Sequence, residues 1–131
     1  MIESLALLGI ALLFGGMTLY SFAFAAFLFT SLPPEQAGTL LRKAFPHFYT
    51  WVVLTSLLAG ALSWAADPPA AGLLIAIAIT TVPTRQILMP AINRAQDAGE
   101  KGRFNALHGA SVVITLVHIG AAAYALIRIA S

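Results

Sequence analysis

Cysteine is absent and charge is scarce: none of the 131 residues is Cys, and only 9% are Asp, Glu, Lys or Arg. The first absence removes disulfides, thiolate metal sites and cysteine nucleophiles, without naming a compartment. The second excludes a water-soluble globule, which draws about a quarter of its residues from the charged types. With 60% hydrophobic residues and a mean hydropathy of +0.89, the chain cannot cover its own surface with polar groups. Lipid must be its solvent. Seven basic residues against five acidic ones leave a net charge of +2, an excess that suits membrane orientation and lacks the clustered basic face of a nucleic-acid binder.

Familiar catalytic patterns are missing as well. The chain has no Gly-rich phosphate loop, no H-E-x-x-H and no Ser-x-x-Lys, and its five carboxylates fall at the ends or between the apolar runs. A paired-carboxylate mechanism inside the membrane is thereby excluded, and the reading points away from an enzyme.

What is present is apolar length. A spanning helix needs about 20 mostly apolar residues, and four stretches supply them, over residues 5–30, 47–66, 70–89 and 104–129. The expected fold is therefore all-α, a single four-helix transmembrane bundle. The opening Met-Ile-Glu-Ser lacks a basic n-region and the apolar run after it is too long for a signal peptide, so it is expected to stay as the first span. Between the first two spans, Ser31 to Pro46 has prolines at both ends, an acid early and bases late, an order that complements a helix dipole. A short interfacial helix is expected there. Asp67-Pro68-Pro69 permits only a tight turn, so spans two and three form an antiparallel hairpin. Asn93 to Arg103, with mixed charges and glycines, reads as a solvated loop.

Lys and Arg in short loops stay on the cytoplasmic side. Arg42, Lys43, Arg94, Lys101 and Arg103 lie beside the first and third loops, and only Arg128 lies at the other end. Both termini are expected outside the cytoplasm, with the protein in a bacterial inner membrane. Trp51 and Trp64 are thirteen positions apart, about 20 Å along a helix, a spacing that suits the two interfacial belts.

Polar residues in the spans are the candidates for function. On the last span, His108, Ser111, Thr115, His118 and Ala122 recur at spacings of three and four, an arc of about 80° on a helix. Asn105 lies beside that arc. Unpaired imidazoles and hydroxyls are costly in lipid, so the stripe is expected to face the other helices, either tying the bundle together or forming a polar path or ligand site. His118, about 15 Å deeper than His108 by helical rise, is expected to be neutral and bonded to Thr18, Ser21, Thr55 or Ser56. His47, Arg85 and His108 approach one mouth of the bundle. There Arg85 has two readings, a side chain that snorkels to the headgroups or an inward guanidinium that binds an anion. It follows Pro83, which should kink or tighten its helix. His108 is expected to be buried, with a ring nitrogen within about 3.2 Å of a partner. Gly9, Gly16 and Ala23 recur every seven residues on the first span and should permit close helix approach.

The pattern Phe29-x-Ser-Leu-Pro33, Gly38, Lys43-x-Phe-Pro46 and Tyr49, together with Phe104-x-x-x-His-Gly-x-Ser111, resembles a membrane family that includes transmembrane protein 205. Its bacterial members are grouped as domain of unknown function 4149. Pro83-Thr84-Arg85 is similar to a Pro-Arg pair of that family, offset by one residue. The resemblance implies a four-helix integral membrane protein with no established reaction, and it favours His108 and Ser111 among the polar residues. The site read from the sequence thus comprises His47, Arg85, Asn105, His108, Ser111, Thr115 and His118, serving a ligand or a partner. No cofactor is expected. The rival readings are a haem held by His47 and His108 and a small transporter built by oligomerisation. The partners this leaves are membrane lipid and either further copies of the chain or other subunits of a membrane complex, with nucleic acid excluded.

Overall fold

The computed structural model describes residues 1–131 as four antiparallel helices of 30 residues each: α1 (Ile2–Ser31), α2 (Pro34–Ser63), α3 (Pro68–Asp97) and α4 (Lys101–Ala130). At 1.5 Å per residue each is about 45 Å long, more than the roughly 30 Å of bilayer hydrocarbon, so helical turns project beyond it. All four are long and apolar enough to cross a membrane.

Two expectations about the connections are corrected. Ser31 to Pro46 does not hold a separate interfacial helix; the chain breaks only at Leu32 and Pro33, both extended, and one helix then runs from Pro34 through Pro46 to Ser63. Leu32 is extended because the ring of the following proline disfavours helical geometry before it. Pro46 only removes the bond that its missing N–H would give to the Arg42 carbonyl, and packing of α2 against both α1 and α3 offsets that loss. The expected loop from Asn93 to Arg103 shrinks to Ala98, Gly99 and Glu100. Gly99 takes a φ of +71°, the left-handed geometry that ends helices without steric cost in glycine. The turn between α2 and α3 is as tight as expected. Asp67 caps α3 by accepting from the Ala70 N–H at 3.0 Å, and Pro68 and Pro69 occupy the first helical positions.

The helices pack as a ring, α1 on α2 and α4, and α3 on α2 and α4, leaving α2 and α4 diagonal to each other. Ile10, Leu13, Met17, Val52, Leu74 and Ile77 fill the centre, and buried Ala59, Ala70, Ala122 and Ala125 let the backbones approach. The small-residue seam on α1 faces α2: a Cβ at Gly9 would lie 3.5 Å from that of Ala59, and Gly16 sits under the indole of Trp51. Each end carries one arginine–aspartate staple. Arg42 reaches from α2 to Asp97 at 2.9 Å and to the Asn93 carbonyl at 3.2 Å, tying α2 to the last turns of α3. Arg128 grips Asp67 with contacts of 2.9 and 3.2 Å. These bonds, with the Ala70 N–H, hold the Asp67 carboxyl below the usual carboxylate range.

Two helices carry π-type segments, Leu19–Phe24 in α1 and Thr84–Leu88 in α3. The second directly follows Pro83, where a kink or a tightened turn was expected; there the Met89 N–H bonds the Thr84 carbonyl five residues back, which widens the turn. No proline accounts for the first.

Candidate functional site

The expected mouth cluster of His47, Arg85 and His108 does not assemble. Arg85 turns toward α2, where its Nε donates to the Pro46 carbonyl at 3.1 Å and its Nη1 donates to Gln86 Oε1 at 2.6 Å. His47 follows Pro46 directly but lines the opposite side of α2, against α1. His108 is exposed on α4, its ring stacked on Phe104 with centroids 5.5 Å apart and planes 6° from parallel, and no polar group meets either ring nitrogen. The expectation of a buried, bonded His108 is thus corrected, and Asn105 is exposed beside it. The reason is helical phase. Counting back from buried Ser111 along the inward face leads to half-buried Leu107 and Phe104, which places His108 and Asn105 just over the edge.

Deeper in the membrane the stripe faces inward as expected. Ser111 and Ala122 are buried, and Thr115 and His118 are half-buried. The Ser111 hydroxyl donates to the His108 carbonyl at 2.7 Å and that of Thr115 to the Ser111 carbonyl at 3.0 Å, so both bond their own helix. His118 Nε2 lies 2.7 Å from Thr80 Oγ1. Because the Thr80 hydroxyl also sits 2.7 Å from the Ala76 carbonyl, to which it donates, the protonated Nε2 of a neutral ring is the natural donor to it. The partner is on α3, not on α1 or α2 as expected: α4 lies diagonal to α2, and of its two neighbours, α1 and α3, His118 is turned toward α3.

A cavity lies elsewhere, a lateral groove of about 650 Å³ between α1 and α2. Gly16, Leu19, Tyr20, Ala23, Phe24 and Phe27 form its α1 wall, and His47, Phe48 and Trp51 its α2 wall. It opens where the π segment widens α1 and where aromatic rings meet aromatic rings: Tyr20 stacks on Phe48 with centroids 4.7 Å apart, and Phe45 meets Tyr20 edge-on at 5.6 Å. On the same segment the buried Ser21 Oγ has no hydrogen-bond partner. His47 is the one imidazole of the groove and, on its α2 wall, the residue nearest the basic loops. The aromatic density of the first span was visible in the sequence; the π segment that turns it into a wall was not. A smaller cleft of about 360 Å³ on the other side of α2 is lined by Thr50, Val53, Leu54, Val82, Arg85 and Gln86. No three His, Asp or Glu side chains gather into a metal site.

Four long apolar helices packed along small-residue seams define an integral membrane protein of the four-helix class. Residues 8–101, more than half of the chain, match the family described as Domain of unknown function (DUF4149), and the chain belongs to that family. The match covers α1 to α3, so the Phe104 to Ser111 motif on α4 lies beyond it. No curated protein and no solved structure matches the chain.

Proposed function

We propose that this protein is a non-catalytic membrane component that binds a lipid-like molecule in the groove between α1 and α2. The observation that carries the reading is the groove itself: about 650 Å³, nearly all apolar, with one imidazole in its α2 wall. That volume lies within the usual range of small-molecule sites, and the lining of hydrophobic walls with few polar groups has the expected composition. An apolar tail would lie along Gly16, Leu19 and Trp51, and the polar end of the molecule would meet His47, with Lys43 one turn further toward the loop.

Mass spectrometry of the protein released from detergent tests this. The wild type should retain a lipid that Ala23→Phe, which fills the groove, loses, while Ala110→Phe on the exposed face of α4 keeps it. Equal retention by both variants would sink the reading.

The end that carries Arg42, Lys43, Arg94, Lys101 and Arg103 is proposed to face the cytoplasm of a bacterial inner membrane, because the sole base at the other end, Arg128, is neutralised by Asp67. The absence of native cysteine makes labelling direct. In intact cells an impermeant thiol reagent should modify Ala66→Cys and spare Glu100→Cys, and the reverse pattern would invert the topology. The haem reading rests on His47 and His108, which this geometry places on diagonal helices and in different surroundings, so an absorption spectrum without a Soret band is the expected result. Of the site read from the sequence, the proposal keeps His47 for the groove and assigns Ser111, Thr115 and His118 to holding the bundle.

A further inference from the structure

Arg85 carries a charge that nothing in the protein balances. The ion pairs of the structure are Arg42 with Asp97 and Arg128 with Asp67; Arg85 has only two neutral acceptors, the Pro46 carbonyl and the Gln86 amide oxygen. A guanidinium has five N–H donors and a full positive charge, so most of its donors, and all of its charge, are left over. Its position makes this costly. Pro46, to which it is anchored, lies one turn inside Arg42, about 6 Å deeper along α2 than the polar staple at the helix end. The side chain is half-buried, and an unpaired cation at that depth is unfavourable.

The cleft around Arg85 has the complementary shape. Arg85 and Gln86 form one rim, the Gln86 amide NH₂ remaining as a further donor, while Val53, Leu54 and Val82 form an apolar floor. The Thr50 O–H is spent on the Pro46 carbonyl at 3.0 Å, so the donors left to act in the cleft are those of Arg85 and Gln86. Donors and a positive charge beside an apolar strip fit one chemistry: an anionic oxygen group joined to a hydrocarbon chain. We propose that the cleft between α2 and α3 binds an anionic phospholipid of the leaflet at the basic end, with its phosphate on Arg85 and Gln86 and the start of an acyl chain on Val53, Leu54 and Val82. A zwitterionic lipid satisfies this site less well, since its own ammonium competes for the phosphate. The Nε bond to Pro46 holds the guanidinium in place before the lipid arrives, which reduces the ordering cost of binding. This site does not depend on the groove between α1 and α2, which lies on the other side of the same helix.

The experiment uses the full chain purified in detergent, with melting curves and bound-lipid mass spectra recorded on adding phosphatidylglycerol, phosphatidylcholine or inorganic phosphate. Phosphatidylglycerol should bind about tenfold more tightly than phosphatidylcholine, the effect expected of one charge-assisted contact. Arg85→Gln should abolish that preference and Arg85→Lys should retain part of it. Because Arg85→Gln also removes the bond to α2, Val82→Trp provides a second route: it fills the cleft, leaves Arg85 intact, and should lose the preference as well. Arg94→Gln, at the exposed end of α3, should keep it. The proposal is overturned if Val82→Trp retains full preference, if Arg94→Gln loses as much as Arg85→Gln, or if inorganic phosphate stabilises the protein as strongly as the lipid. Ala23→Phe should leave the preference unchanged, so failure here and failure of the groove are separate results.

Discussion

Along one helix pair, α1 and α2, the structure holds two opposite kinds of contact. Toward the terminal end, a Cβ added at Gly9 would stand 3.5 Å from that of Ala59, ordinary van der Waals distance, so the helices run close there. Toward the loop end, Tyr20 faces Phe48 and the helices part around the groove. The turnover falls at Gly16, where the absence of a side chain makes room for Trp51. The same two helices are close or apart according to the sizes of the residues that oppose each other, because in lipid no hydrophobic pressure closes a gap between them.

The largest effect is expected at that turnover. Gly16→Leu drives a side chain into Trp51 and should destabilise the protein by about 1–3 kcal/mol, the range of overpacked cores. Gly15→Ala, which meets nothing within 4 Å, should be neutral, and Trp51→Ala should recover much of the loss in the double variant. Additive losses would show that the indole is not what Gly16 accommodates. A second tight contact sharpens the comparison. At Gly60 a Cβ would stand 3.0 Å from Ile75 Cγ1 and 3.3 Å from the Ala71 carbonyl oxygen, and Gly60→Ala should cost about 1 kcal/mol because backbone cannot yield as a side-chain tip can.

The contact between α3 and α4 uses a polar pair where α1 and α2 use shape. A double-mutant cycle of His118→Leu and Thr80→Val should give a coupling of about 0.6 kcal/mol, typical of hydrogen bonds between membrane helices. Zero coupling would remove the pair from the account of α4. At the ends, Asp67 should give a weaker, pH-dependent contribution. Its carboxyl is held below its ordinary range in the folded protein, so its share of stability is present at neutral pH and is lost as the pH falls through the unfolded and then the folded value. Asp67→Asn should flatten the acid limb of melting temperature against pH, and an unchanged limb would assign it to another group. The smallest stability effect belongs to the open half of the pair. Ala23→Phe, in the groove, should leave the stability within about 0.5 kcal/mol of the wild type while removing the lipid bound there.

Much of the fold was legible in the chain, and less of the site. The stripe through Ser111, Thr115, His118 and Ala122 was readable because polarity in lipid has a one-sided cost, so a narrow polar arc must turn inward. His108 and Asn105, at the edge of the same arc, were misjudged: a phase error too small to matter at the centre of a stripe decides burial at its margin. The amphipathic stretch after Pro33 was recognised as helical, yet its continuity through Pro46 depends on packing against α1 and α3. Arg85 had two readings, the snorkelling side chain and the inward anion binder, and its bond to the Pro46 carbonyl of α2 could not be seen in either helix alone.

By itself the sequence determined the solvent, the number of crossings, the tight turn at Asp67 and the inward face of α4, each set by composition or by periodicity within one segment. Tertiary structure alone decided which helices are neighbours. That order around the ring sent His118 to Thr80, placed His47 and Arg85 on opposite sides of α2 and opened the groove at Tyr20 and Phe48. The physical reason is that a helix in lipid satisfies its own backbone and can stand at any rotation. Its partners are chosen by the fit of side chains across the interface, and that fit is a property of two segments together.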